Sequence, residues 1–494
     1  MEAINDNHDD EQTPLLKSQT HKRKSTPLPK LQIGIVLLLQ VCEPICSQSI
    51  YPYINELVST LDIIDGDTRK IGYYAGLIES LFFATEAITV FQWSRTSDRI
   101  GRKPVLMLGM IGTILSMLFF GLSRTFSTLV ISRCLCGLLN GNIGVMKSAM
   151  GELTDRTNRA DAFALMPVVW ALGATMGPLL GGTLTRPADH FPNVFTGRFW
   201  REYPYFLPCL ATSGFVFATF LVTAFLFKET APVSRNMPPK SRDSSQSSTS
   251  TLTSFSTLDT RDQLQAEVSL LGLLTFPVVI SIANYVTLAF LNISVNALLP
   301  LFFHMPIDKG GLHLNPVTIG YIMGLYGAGT GTFQVLFFAK LVRRFGTRRI
   351  FIMSMATFIP VFLIFPLVSV LAKAWGVSWG VWILVAVMLF LLFFMDTAYG
   401  CIFMYVTESA PNRRSLGATN GLAQTTVSTA RAIGPALSTS LFSFSIQHSV
   451  LGGYGVYAIL TSLAALALLL AVQLPQQLWN NQEDLMTRGR ERSE

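Results

Sequence analysis

Ser97-Asp98-Arg99-Ile100-Gly101-Arg102-Lys103-Pro104 stands between two long apolar stretches and crowds one acid and three cations into a short turn. If the flanking stretches both cross a membrane, the chain reverses here. A reversal at the water interface needs a compact polar turn, and Gly101 supplies the backbone freedom for it. Basic residues at such a turn hold that end on the cytosolic side. Asp98 among the three cations points to an ion-paired latch rather than a simple anchor.

Composition supports the membrane premise. Of 494 residues 50% are hydrophobic and only 14% charged, with a mean hydropathy of +0.44, whereas soluble chains carry about 25% charged residues. Apolar runs long enough to cross a hydrocarbon core of about 30 Å recur along the chain. Twelve spans are predicted, at 31–55, 71–93, 104–122, 126–150, 161–183, 203–227, 270–303, 316–340, 350–372, 378–407, 416–445 and 452–473. The longer ones call for tilt or kinks. The fold class is therefore an all-α membrane protein with twelve transmembrane helices. The first thirty residues lack the apolar core of a cleavable signal peptide. Lys and Arg concentrate in the N-terminal tail, the even-numbered loops and the C-terminal tail, which predicts that both termini face the cytosol. The same pattern explains the net charge of +7 as orientation signals, so no nucleic-acid partner is expected.

The chain divides into a disordered tail over 1–30, a six-helix bundle over 31–228, a Ser-rich linker over 229–266, a second bundle over 267–473 and a tail over 474–494. The linker buries too little apolar surface to fold and serves as a tether or a phosphorylation target. In the first tail Glu11-x3-Leu15-Leu16 resembles a dileucine sorting signal. The halves echo each other, because Gly101 and its cations recur at Arg343-Arg344-Phe345-Gly346-Thr347-Arg348-Arg349 and Gly177-Pro178 recurs at Gly434-Pro435. Such echoes predict two related six-helix bundles around a central cavity. The second turn has Arg343 where the first has Asp98, so the latch is expected on one side only.

Several motifs lie inside predicted spans. Arg133, Gly137 and Gly141 recur at four-residue intervals, which allows close helix approach, and Arg133, Asn140 and Lys147 share a stripe. A charge at membrane depth costs roughly 2.5–3.5 kcal/mol on insertion scales and should face a cavity or a partner. Lys147, near a helix end, is expected to snorkel to the interface. Gly173-x3-Gly177-Pro178-x2-Gly181-Gly182 combines close-packing glycines with a helix-bending proline. Glu43, Glu79 and Glu86 are candidate proton carriers, since a carboxyl facing a low-dielectric cavity can exchange protons near neutrality. Asp396 and Arg431 are the isolated charges of the second half, placed to pair with each other or to face substrate. Tyr51, Tyr53, Tyr73 and Tyr74 are expected in an interfacial belt. Of six cysteines, Cys42 and Cys46 are one helical turn apart and could share a soft metal, but no histidine lies nearby and cysteine also serves as a small apolar residue. No metal and no cofactor is expected.

The opening turn resembles the loop between the second and third helices of the major facilitator superfamily, with Ser94 and Thr96 departing from its usual glycine and leucine. The Cys42-Glu43-Pro44 start and the cassette Ser97–Gly109 are similar to fungal members related to the zinc-induced-facilitator-like group. The resemblance implies that Asp98 engages a neighbouring helix end and an arginine, with Arg102 a donor, and holds the cytosolic side closed. It implies a proton-relay role for Arg133 and identifies Gly173, Gly177, Pro178, Gly181 and Gly182 as an antiporter signature. The implied activity is drug:proton antiport, exporting a small organic solute, cationic or amphipathic, from a monomer in a vacuolar or plasma membrane. A proton-coupled importer, a facilitator or a transporter-like nutrient sensor would share the architecture. An intramembrane enzyme is disfavoured, because the spans hold no His-rich metal set and no Gly-x-Ser-x-Gly turn.

Overall fold

An apolar run inside a bilayer has no water to bond its backbone, so it closes its hydrogen bonds within itself as a helix. In a computed structural model the described residues are 27–140, 142–154, 158, 165–230, 274–411 and 416–476, without the side chains of Phe91, Asp98, Pro167, Leu416, Gly417 and Ala418. All their regular elements are helical. Glu11, Leu15, Leu16 and most of the Ser-rich linker lie outside them.

Helix coincides with each of the twelve predicted ranges. The helices are α1 (Lys30–Ser59), α2 (Ile71–Ile100), α3 (Arg102–Gly121), α4 in two segments (Phe126–Leu139 and Asn142–Leu153), α5 (Met166–Thr183), α6 (Phe206–Leu226), α7 (Phe276–His304), α8 (Pro316–Phe345), α9 (Thr347–Trp375), α10 (Trp379–Glu408), α11 (Leu416–Gln447) and α12 (Gly455–Val472). Among the described residues nine of these are long and apolar enough to cross a membrane by length and composition. The other three are α5, whose apolar part is short, and α2 and α11, which carry Glu79, Glu86 and Arg431 in their middles. α2 and α11 pack extensively against each other, so their polar faces meet protein rather than lipid.

Two seams join the halves, α5 on α8 and α2 on α11, while α1 packs on α5 and α7 on α11 within each half. Backbone approaches backbone in three of these four, and in the α7–α11 packing a glycine meets a side chain. A Cβ added at Gly173 would lie 2.4 Å from Pro44 Cγ, at Gly177 2.9 Å from the Ile45 carbonyl oxygen and at Gly181 1.8 Å from that of Ser49, all on α1. A Cβ at Gly182 would meet the Pro316 carbonyl oxygen of α8 at 2.6 Å, and one at Gly320 would meet that of Pro178 at 2.6 Å. The second seam repeats the pattern, since a Cβ at Gly76 of α2 would lie 2.8 Å from the Pro435 oxygen and one at Gly434 2.4 Å from Ile293 Cγ2 of α7. The glycine–proline echo in the sequence is thus a spatial two-fold.

The halves are sutured toward the face opposite the one where the described chain enters at Lys30 and leaves near Val472. There Lys309 Nζ donates to Thr68 Oγ1, Tyr73 to Gln447 at 3.2 Å, and the Ala436 amide to Ser80 Oγ at 2.8 Å. In the loops of that face Arg124 pairs with Glu202 and holds its carboxyl below the usual carboxylate range through a side-chain hydrogen bond.

Two expected belt residues are instead core. Tyr51 is buried and donates to Glu79. Tyr53 is fully buried, stacked on Tyr205 with ring centroids 5.3 Å apart and 3.3 Å from Cys209 Sγ. Both lie on the side of α1 that faces the bundle, and position along a span says nothing about that direction.

Candidate functional site

The charged turn is built on a backbone that demands glycine. Gly101 has φ 103° and ψ 162°, and its counterpart Gly346 has φ 83° and ψ 152°, a region essentially closed to residues with a Cβ. The two turns differ in what they hold. Arg102, almost fully buried, donates from Nη2 to Glu152 Oε1 of α4 at 2.8 Å and from Nη1 to Ser97 Oγ at 2.6 Å. The free amides at the start of α3 are capped by Glu229, which accepts from the Arg102 nitrogen at 2.7 Å and the Lys103 nitrogen at 3.0 Å. An anion is favoured there by the helix dipole and the unpaired N–H groups. Lys103 Nζ donates to the carbonyls of Ala224 and Phe227 at the end of α6, each at 2.8 Å. Thr230 Oγ1 closes the cluster on Glu152 Oε2 at 2.7 Å. Asp98 falls in the last turn of α2, and its side chain lies outside the described residues.

Deeper in the first half, Arg133 of α4 is 5% exposed, with its guanidinium 4.9 Å from the Phe82 ring centroid and 5.9 Å from that of Phe120. It lines two cavities. One also holds Glu43, Asn140 and Asn142; the other lies between the halves and holds Glu79, Tyr51 and Thr439. Arg133 makes no ion pair among the described residues, and its Nε has no hydrogen-bond partner. Glu86 is buried and accepts from Asn140 Nδ2 at 3.1 Å. Glu43 and Glu86 sit within electrostatic reach of both Lys147 and Arg431. Lys147 itself is exposed on α4. Gly141 lies outside the described residues. Gly137 is explained by packing, since a Cβ there would lie 2.1 Å from Thr85 Oγ1 and 2.3 Å from the Phe82 oxygen of α2.

In the second half Asp396 accepts from Asn292 Nδ2 of α7 at 3.2 Å, and from Tyr326 Oη and Thr330 Oγ1 of α8 at 2.8 and 3.1 Å. Asn292 Oδ1 accepts from Tyr399 Oη and Asn296 Nδ2, both at 3.1 Å. Tyr399 lies beside Arg431. Asp396 and Arg431 are thus linked through two intervening side chains and do not form an ion pair among the described residues.

The family model described as "Major Facilitator Superfamily" matches residues 36–310 and 285–485. The chain belongs to the major facilitator superfamily. It is 33% identical over 470 residues to "Major facilitator-type transporter psiT2" of Psilocybe cyanescens, covering 89% of each chain. It is 27% identical to "Efflux pump azaK" of Aspergillus niger, covering 95% of each, and 27% identical to "Protein ZINC INDUCED FACILITATOR 1" of Arabidopsis thaliana, covering 87% of this chain and 88% of that one. A multi-pass membrane transporter, not an enzyme, is the consequence.

Against that family frame, Asn292, Tyr326, Thr330 and Tyr399 have no signal in the sequence, being single polar residues on three helices that meet only in the fold. Glu152 and Glu229 were equally silent, because acids near helix ends are common and their partners are remote in sequence. The six cysteines are free thiols.

Proposed function

We propose that this superfamily member is a proton-coupled antiporter that exports a small organic solute, works as a monomer and keeps both termini in the cytosol, in a vacuolar or plasma membrane. The observation that carries the reading is Arg133, which lines one cavity with Glu43 and another with Glu79 and is ion-paired to neither. Pairing with a guanidinium favours an ionised carboxyl, and loss of that pair in a poorly solvated cavity favours the protonated one. A small shift of α4 against α1 and α2 would therefore release a proton from one acid and load the other. Arg431 of α11, within electrostatic reach of Glu43 and Glu86, ties the same event to the position of the second half. Export is supported by the Gly173 to Gly182 series on α5, which the family resemblance associates with antiporters, and by a relative whose name is that of an efflux pump.

The test is efflux from cells loaded with candidate solutes, with and without a protonophore. Uphill efflux should stop when the gradient collapses. If it persists, coupling to protons is excluded.

A further inference from the structure

We propose that Asp396 is the cation-binding subsite of the transport pathway, and that the cargo it takes is an organic ammonium carried next to an aromatic body. The proposal deepens the transport reading and rests on it, but not on the direction of transport or on proton coupling.

The acids in the described part of the second half are Asp308, in a loop, Glu408, at the end of α10, and Asp396, in the middle of α10. Asp396 is thus the carboxylate of that half at membrane depth. Its three protein donors, Asn292, Tyr326 and Thr330, are all neutral. They order the carboxylate without balancing its charge, and it makes no ion pair among the described residues. The cations on α4 and α11 stand elsewhere. Lys147 and Arg431 face Glu43 and Glu86, and Tyr399 and Asn292 stand between Arg431 and Asp396. A carboxylate at that depth calls for a proton or an opposite charge, and in this site an opposite charge would arrive with a ligand.

The donor set selects the kind of cation. Tyr326, Thr330 and the Asn292 amide all turn N–H or O–H groups toward Asp396, and the Asn292 oxygen is already used by Tyr399 and Asn296. A bare metal ion needs several oxygen ligands, and the site presents few. An ammonium needs only the remaining acceptor capacity of the carboxylate. The rings beside it fit the rest of such a molecule. Tyr326 and Phe393 lie parallel within 7°, with centroids 6.2 Å apart. Phe393 is held there by the missing side chain at Gly329, where a Cβ would lie 2.2 Å from its Cζ. An aromatic face attracts a cation and stacks on an aryl group.

The test uses the full-length protein purified in detergent, without any gradient, and the fluorescent pair 1-naphthylmethylamine and 1-naphthalenemethanol at neutral pH. The two probes share shape and differ in charge. Wild type should bind the amine at least tenfold more tightly than the alcohol, and Asp396→Asn should bring the two to the same affinity. Equal affinities in wild type, or an undiminished preference in Asp396→Asn, would overturn the proposal. If Asp396→Asn does not fold, Asp396→Glu keeps the charge and shifts it by one methylene. It should cut the preference several-fold, and an unchanged preference would overturn the placement. Because no gradient is present, a failed protonophore test leaves this ratio intact, and loss of the ratio leaves proton-coupled efflux standing.

Discussion

Replacing Gly181 by alanine adds one methyl group at the tightest contact between α5 and α1. That Cβ would lie 1.8 Å from the Ser49 carbonyl oxygen, 2.7 Å from its carbon and 3.1 Å from its Cα. All three atoms are backbone, so no side chain can swing away. The helices must part by roughly 1.5 Å to restore normal contact distances, and overpacking of this kind costs about 1–3 kcal/mol. Alanine recovers up to about 1 kcal/mol through its better helix propensity, which leaves a net loss. Gly214 on α6 is the control, because a Cβ there meets nothing within 4 Å, so Gly214→Ala keeps the propensity gain without the clash. The assay is the melting midpoint of the purified full-length protein, read as the monodisperse fraction on size exclusion after heating. Gly181→Ala should melt several degrees below wild type, and Gly214→Ala at or above it. Equal shifts for the two variants would refute the claim that backbone contact, rather than loss of a glycine, governs this position.

Other outcomes follow from the charged turn and the loops. Glu152→Gln should weaken the hold on Arg102 and speed protease access to the turn, while a matched Glu408→Gln at the end of α10 should not. Glu229→Gln removes the anion from the start of α3 and, by the usual magnitude of a helix cap, should cost about 0.5–2 kcal/mol, measurable as a lower midpoint in the same heating assay. Gly101→Ala should be worse than either, since it combines a positive φ with a Cβ 2.5 Å from Glu229 Oε2. The Glu202 carboxyl is held below its ordinary value by Arg124, so its contribution is present above the unfolded-state value and disappears as pH falls through the folded one. Glu202→Gln should therefore lower the midpoint slightly at neutral pH, leave it unchanged at low pH where the carboxyl is protonated, and so flatten the acid limb of the midpoint-against-pH curve.

The helices were legible because apolar runs bounded by Gly, Pro and charge have few other solutions, and even α2 and α11 were found despite their polar centres. Arg133, Glu43 and Glu79 were legible as charges where charge is expensive. Their arrangement was not, because the division of one arginine between two cavities depends on how α1, α2 and α4 turn about their own axes. Tyr51 and Tyr53 were misplaced for that reason. The Asn292–Asp396–Tyr326 network gathers residues from α7, α10 and α8, and nothing local in any of those helices announces the others. The glycine series on α5 was visible as a motif, while its division into three residues against α1 and one against α8 needed coordinates.

Where α5 meets α8 and α2 meets α11, a proline carbonyl on one helix rests against a bare glycine on its partner. Side chains that interdigitate lock two surfaces into one register, and moving them means repacking. Smooth backbone against smooth backbone has no such teeth. Such paired contacts would act as two plain bearings on opposite sides of one axle, and a tilt of one bundle over the other would leave the packing inside each unchanged. That freedom belongs to the geometry of the seam and owes nothing to what is carried, so the same joint can serve relatives with different cargoes.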